Sequence, residues 1–453
     1  MMKKQNFQNV DRRDFLRIGA AGLGAMALAT KCSSQAPLNE PAVDFIAPAI
    51  ENVRVGYVGV GNQGTGHVRN LVKIPGCEIV AIADIMPEYA DRAAKICTDG
   101  GQRKPDLYTN GPEDYKRMCE RDDIDLVYTA TPWKLHVPVM VAAMESGKHG
   151  ATEVPAAVTL DECWQMVETS ERTQKYCIMM ENCCYDRIEM MVLNMARQGL
   201  FGEVLHAQCG YRHDLRWHKF EPGFYVNDWR LKHSFDRDGN LYPTHGLGPV
   251  AQVMNVNRGD QFDYLVSMSS KSMGLNLYAA EHLGEDHPLA TREYALGDIN
   301  ITLIRTKLGR TIEIYHDCSS PRPYSRDYLI QGTKGLMRKY PESRIHIEGR
   351  SEAHSWEDLD EYAQEFEHPL WTAKGEEARG AGHGGMDYIE DYRLIQCLRD
   401  GKPQDMDVYD AAAWSAVSEL SEISVAKKST SIDFPDFTRG AWENREPLGI
   451  VEA

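Results

Sequence analysis

No stretch of the 453-residue chain holds the roughly 20 consecutive apolar residues that a membrane-crossing helix needs, so no integral span is expected. Positive charge is in deficit. Lys and Arg number 50 against 67 Asp and Glu, a balance of −17. Nucleic acid is therefore not an expected partner, because phosphate backbones demand basic patches. The 11 cysteines are odd in number and irregularly spaced, which argues against a disulfide framework. Internal repeats and low-complexity tracts are lacking. What is present is ordinary for a globular chain: 42% hydrophobic and 26% charged residues, which excludes wholesale disorder. The length suggests two or three domains with cores that need no staples.

Residues 1–31 read as an address. Lys3, Lys4, Arg12, Arg13 and Arg17 precede the weakly apolar stretch Ile18–Thr30, and Asp11-Arg12-Arg13-Asp14-Phe15-Leu16 resembles a twin-arginine export signal. Export to the periplasm by that route is expected. It carries folded proteins, so thiols could be buried before they meet an oxidising compartment. Lipid anchoring at Cys32 is the alternative, disfavoured by Lys31 where a small residue is expected. Residues 32–50, rich in Ser, Pro and Ala, read as a linker.

A dinucleotide-binding domain is expected over residues 51–181. The β-branched run Val53–Val60 suits a buried parallel strand and enters Gly59-Val60-Gly61-Asn62-Gln63-Gly64. A helical stretch Thr65–Val72 follows, then a strand Glu78–Ala83 ending at Asp84, twenty residues beyond Gly64. Gly59 permits the turn, Gly61 lets backbone approach a pyrophosphate, and Gly64 lets helix pack on strand. Asp84 would accept from the adenosine ribose and repel a 2′-phosphate, which favours NAD over NADP. Strands and helices keep alternating to Lys148–Thr152, implying a doubly wound parallel sheet. Ligands of such sheets sit beyond the carboxyl ends of the strands, which places Trp133, His136, Glu153 and Val154 near the nicotinamide half.

After residue 182 the period changes. A helix Tyr185–Gln198 gives way to strands at Val204–Tyr211, Phe262–Met268, Ile299–Thr306, Thr311–Tyr315, Tyr328–Gln331 and Ile345–Ile347, with helices returning at Asp387–Leu398 and Val408–Ala426. This predicts an α+β substrate domain over 182–453, built on an open antiparallel sheet with C-terminal helices. Within 211–245, Tyr211, Trp217, Phe220, Phe224, Tyr225, Trp229 and Tyr242 interleave with Arg212, His213, Arg216, His218, Arg230 and His245. Aromatic faces beside Arg and His suit a sugar pocket, although loop aromatics also serve as satellite core. His213 and His218 lack a completing ligand set, so no metal is expected.

Taken together, these residues resemble the glucose–fructose oxidoreductase and inositol dehydrogenase superfamily. That superfamily usually carries Glu-Lys-Pro where this chain has Glu153-Val154-Pro155, so a lysine beside the reacting carbon is absent. The twin-arginine leader, Gly59–Gly64, Trp133-Lys134-Leu135-His136, Glu153-Val154, Asn182, Tyr242-Pro243-Thr244-His245 and Pro323-Tyr324 resemble glycoside hydrolase family 109, the NAD-dependent α-N-acetylgalactosaminidases. The resemblance implies NAD contacts from Asn62, Gln63, Asp84, Trp133, His136, Glu153, Val154 and Asn182. It implies sugar contacts from Tyr211, Arg230, Tyr242, Pro243, Thr244, His245 and Tyr324. It also implies a redox-neutral cycle on a glycan ending in α-linked N-acetylgalactosamine. Hydride leaves C3, the C2 proton is removed, the C1 substituent departs, water adds, and the hydride returns, so the cofactor is retained. His245 is expected as base and Tyr242 as its partner. An exported sugar oxidoreductase with bound NAD and a non-catalytic sugar-binding protein are the alternatives, and assembly with further copies of the chain is left open.

Overall fold

The computed structural model describes residues 45–450, so the leader, Cys32 and the first part of the linker lie outside the described residues. Residues 45–50 are docked. The Ala47 N–H donates to the Tyr176 hydroxyl at 2.8 Å, and the Ile50 N–H to the Leu398 carbonyl at 3.0 Å.

Six strands form the first sheet: β1 Val53–Val58, β2 Cys77–Ala83, β3 Asp106–Tyr108, β4 Leu126–Thr129, β5 His149–Thr152 and β6 Cys177–Met179. Every pairing is parallel and the order is β3-β2-β1-β4-β5-β6, so the winding reverses between β1 and β4. The strands are almost wholly apolar because helices cover both faces. The helix Asn62–Leu71 starts three residues before the expected Thr65, and Pro87–Asp99 and His136–Glu145 continue the expected alternation; Leu160–Thr173 and β6 were not expected.

The second sheet has nine strands: β7 Val204–Arg212, β8 Phe262–Ser269, β9 Asn300–Thr306, β10 Thr311–Asp317, β11 Leu329–Gly332, β12 Gly335–Arg338, β13 Arg344–Ile347, β14 Glu357–Asp358 and β15 Ile432–Asp433. Its order is β14-β13-β12-β11-β7-β10-β9-β8-β15. The sheet is mixed rather than purely antiparallel, because β7 and β10 pair parallel at its centre. The β9–β10 hairpin closes at Lys307-Leu308-Gly309-Arg310, where Gly309 takes φ +88° and its N–H donates to the Thr306 carbonyl at 2.9 Å.

One apolar core runs from Val55 and Tyr128 under the first sheet, through Met190 and Leu247, to Ile312 and Ile314 of the second. The C-terminal helix Met386–Asp400 packs back on the first sheet, where Asp391 accepts from Asn70 at 3.0 Å and meets His67 at 2.9 Å. All ten described cysteines are buried and free.

Candidate active site

A cavity of about 560 Å³ opens beyond the carboxyl ends of β1, β2, β4, β5 and β6. Its floor is the glycine loop. Gly59 has φ +82°, and a Cβ there would lie 2.9 Å from Thr131 Cγ2. A Cβ at Gly64 would fall 2.1 Å from the Gly59 carbonyl oxygen, so helix and turn touch backbone to backbone. A Cβ at Gly61 would meet nothing within 4 Å. Protein packing does not demand glycine at 61; the bare backbone faces the open cavity, as close approach by a dinucleotide requires.

Asn62, Gln63, Asp84, Trp133, His136, Glu153, Val154 and Asn182 all line this cavity, while Gly64 lies behind the loop. Asp84 accepts the N–H groups of Val60 and Met86, each at 2.8 Å. Burial pushes its carboxyl above the usual range, against the pull of those two donors. His136 lies between two backbone carbonyls, Nδ1 2.8 Å from that of Pro155 and Nε2 2.7 Å from that of Thr131, and burial lowers its pKa, so the neutral ring donates to one of them. It sits between the β4 and β5 loops and presents its ring edge.

Glu153 is held in a buried charge chain. Its Oε1 meets His67 Nε2 at 2.7 Å, and His67 Nδ1 meets Asp391 at 2.9 Å. Burial alone would lower the His67 pKa, but the two carboxylates hold it well above the ordinary value. The same contact keeps Glu153 below its ordinary value despite burial.

The opposite wall comes from the second half of the chain. Tyr211 leaves β7, Arg230 sits on the helix Trp229–Asp236, and His245 lies in the first turn of the helix Thr244–Val253. The rings pack as one cluster. Tyr242 stacks on Trp133 at 5.5 Å, and Tyr211 lies 4.6 Å from Tyr242 and 5.3 Å from His245. The Arg230 guanidinium lies 4.8 Å from the Tyr242 ring, 5.2 Å from Trp133 and 5.7 Å from Tyr225, and donates to the Tyr225 hydroxyl at 3.2 Å. Among the described residues no carboxylate pairs with it, so its charge stays available to a ligand.

His245 has a partner that the sequence reading missed. Its Nδ1 lies 2.7 Å from Oε1 of Glu181, which is fully buried. That oxygen already accepts the Cys183 N–H at 3.1 Å, so it meets the ring as an acceptor and Nδ1 carries the hydrogen. Nε2 is left as the basic nitrogen. Glu181 Oε2 is buried without a partner among the described residues. Burial pushes the Tyr242 phenol well above its ordinary pKa, more than Arg230 pulls it down. Tyr242 therefore stays a hydroxyl donor. His213, buried beside Arg230, is held neutral with a pKa near 4, and its Nδ1 faces the Tyr211 hydroxyl at 3.0 Å.

Not every expected residue reaches the cavity. Pro243 and Thr244 are buried behind it, the Thr244 hydroxyl without a partner among the described residues, and Tyr324 stands beside His213 at 5.0 Å. Arg212 pairs with Asp327, Arg216 with Asp214, and Phe220 packs on Tyr278, while Trp217 is half-exposed. These four are packing and surface, as loop aromatics and arginines often are. Glu181 lies two residues past β6 at the carboxyl edge where ligands sit, and it was missed together with that strand. His383 also lines the cavity, and only the glycine cluster around it hinted at an unusual backbone. One donor atom each from Glu181, Cys183 and His245 lie within 4.8 Å of one another, and the Glu181–His245 contact among them has hydrogen-bond geometry.

Comparison with known proteins agrees with this geometry. Residues 53–181 match the oxidoreductase family with an NAD-binding Rossmann fold. Levoglucosan dehydrogenase in complex with NADH superposes with a TM-score of 0.67 at 21% identity, covering 85% of this chain and 100% of that one. An inositol dehydrogenase homologue from Azotobacter vinelandii, bound to NADH and myo-inositol, gives 0.62 at 18% identity over 86% of this chain and 99% of its own. The fold is therefore that of these NAD-binding oxidoreductases. Residues 185–444 match the C-terminal domain of glycosyl hydrolase 109. A glycosyl hydrolase family 109 protein of Shewanella pealeana is 49% identical, over 98% of this chain and 99% of the relative. The α-N-acetylgalactosaminidase of Shewanella oneidensis is 47% identical, over 98% of this chain and 100% of the relative. With both halves matched and the relatives aligned end to end, the chain belongs to glycosyl hydrolase family 109.

Proposed function

We propose that this NAD-dependent glycosidase removes terminal α-linked N-acetylgalactosamine from glycans by redox-neutral elimination and addition, with its cofactor retained. One observation carries the reading: His245, backed by buried Glu181, and the glycine loop line one cavity. The name of the Shewanella oneidensis relative supports the choice of sugar. Gly59, Gly61, Asn62, Gln63 and Asp84 would hold the adenosine and diphosphate portion, and Trp133, Glu153, Val154 and Asn182 the nicotinamide portion. Bound there, NAD⁺ supplies a temporary hydride acceptor for C3 of the sugar.

The protein's part is to bind, orient and move protons. Glu181 fixes the tautomer of His245, so that Nε2 takes the substrate proton and the buried carboxylate stabilises the resulting imidazolium. Tyr242, kept protonated, donates to a sugar oxygen. Arg230, with no carboxylate partner among the described residues and ringed by aromatics, offers N–H donors where negative charge grows on the 3-keto sugar after C2 deprotonation. Tyr211 and Trp133 supply apolar faces for the sugar's C–H surface. Loss of the C1 substituent, addition of water at C1, reprotonation of C2 and return of the hydride to C3 would together close a net hydrolysis.

The decisive experiment incubates the protein with p-nitrophenyl α-N-acetylgalactosaminide. The expected result is p-nitrophenol release with no net NADH, and deuterium at C2 of the sugar released in D₂O. A substrate methylated at O3 cannot form the ketone and should not be cleaved. Efficient cleavage of it would mean direct displacement at C1, and NADH accumulating in step with a free sugar would mark an oxidoreductase instead.

A further inference from the structure

The helix Met386–Asp400 reaches the site with two acids one turn apart. Asp391 holds His67, which holds Glu153. Asp387 accepts from Asn182 Nδ2 at 2.7 Å through Oδ1 and meets His383 Nδ1 at 2.8 Å through Oδ2. The residues that follow β5 and β6 are thus both tied to this C-terminal helix.

The backbone ahead of the helix is contorted. His383, Gly384 and Gly385 take φ of 49°, 76° and 104°, a left-handed run in which only glycine is at ease. A Cβ at Gly382 would fall 2.3 Å from Asp387 Oδ2, so the chain passes against the carboxylate that grips His383. A helix needs no such run in order to start. Its consequence is that half-exposed His383 lines the cavity together with Glu153 and Asn182. These three lie on the β5–β6 side of the switch between β1 and β4, away from Asp84 at the end of β2. That is the nicotinamide side. His383 Nε2 has no protein partner among the described residues.

We propose that His383 is a cofactor-contacting residue: clamped by Asp387, its imidazole donates through Nε2 to an oxygen of the nicotinamide-ribosyl phosphate half of NAD and slows the cofactor's departure. The Asp387 contact raises the His383 pKa and holds Asp387 near 2, which favours a ring carrying hydrogen on both nitrogens. This inference rests on the reading that NAD is resident.

The test uses the full chain loaded with radiolabelled NAD⁺, chased with unlabelled NAD⁺. The variants are His383→Asn, which tolerates the left-handed backbone, and His383→Gly, which removes the side chain without strain. Both should lose label about tenfold faster than the wild type, the worth of one charge-assisted hydrogen bond, with the melting temperature of the cofactor-free protein unmoved. Loss within twofold of the wild type in both variants would overturn the proposal while leaving the NAD reading intact. Faster loss that tracks a drop in melting temperature would also overturn it, by assigning His383 a structural role. A wild type that takes up no NAD⁺ at all would overturn the resident-cofactor reading and this proposal together.

Discussion

Replacing Glu181 by Gln changes one atom of the site and almost no volume, so it separates a working dyad from a merely packed one. Oε1 accepts from both His245 Nδ1 and the Cys183 N–H. An amide nitrogen in that place would confront two donors, so the Gln oxygen must stay there and the NH₂ must take the position of the partnerless Oε2. The His245 tautomer is then preserved and only the charge is lost. A hydrogen bond to a charged group is worth about 1.5–3 kcal/mol, against about 1 for a neutral one. The difference of about 0.5–2 kcal/mol, felt when His245 becomes an imidazolium, predicts a fall in kcat of roughly 2- to 30-fold. The assay is p-nitrophenol release at saturating substrate, with bound NAD measured after denaturation. A rate equal to the wild type would show that Glu181 does not support the base. A loss of bound NAD in parallel would show that the substitution acts through the cofactor site instead.

Other consequences are equally direct. His245→Ala should cut turnover by roughly 10²–10⁴ while bound NAD stays in place, read by the same two measurements. Gly61→Ala should abolish NAD uptake with little change in thermal stability, because its Cβ meets no protein atom within 4 Å; Gly64→Ala, whose Cβ would sit 2.1 Å from a backbone oxygen, should lose both uptake and about 1–3 kcal/mol of stability in urea titration. His149 accepts the Tyr176 N–H and is held by burial at a pKa of about 4, below the ordinary 6.5, so its contribution is present above pH 6.5 and is lost as pH falls toward 4. Full protonation costs about 3 kcal/mol, and His149→Gln should flatten the fall in melting temperature between those pH values. Replacing Arg12 and Arg13 by Lys should strand the precursor in the cytoplasm, whereas export at the normal rate would remove the twin-arginine assignment.

How far the chain could be read depended on how local each feature is. The glycine loop, Asp84 and the strands of the first sheet lie within short, strongly apolar stretches whose neighbours in sequence are their neighbours in space. The helix Thr244–Val253 was not legible, because Thr-His-Gly-Leu-Gly-Pro reads as a loop on propensity. Its glycines answer a tertiary demand: a Cβ at Gly246 would lie 2.4 Å from the Gly210 nitrogen of β7, so the helix is pressed onto the strand that carries Tyr211. Pro249 offers no N–H to the His245 carbonyl four residues earlier, a further mark against a helix from sequence alone. The charge partners were hidden for a different reason. Glu181 meets His245 across 64 residues, Asn182 meets Asp387 across 205, and His67 meets Asp391 across 324. No periodicity or spacing encodes such contacts; only the fold does.

That separation bears on the departure at Val154. Oxidoreductases resembling this chain place a lysine there, beside the carbon that gives up hydride. Here the position is apolar, buried and part of the cavity wall. Its neighbour Glu153 has its charge answered from behind by His67, not by a cation in the cavity. Under the proposed function, positive charge in the cavity comes instead from Arg230 in the second half of the chain, and the base would be His245 backed by Glu181. A lysine at Val154, next to Glu153 in sequence, would compete with His67 for the Glu153 carboxylate. Under the proposed function, a base on the opposite wall instead of at the end of β5 would serve a C–H proton as well as a hydroxyl. Elimination needs that second proton and simple oxidation does not. On the proposed mechanism, the apolar Val154 and the Glu181–His245 pair serve the same end. Restoring the cation through Val154→Lys should disturb the Glu153–His67 contact without producing a dehydrogenase.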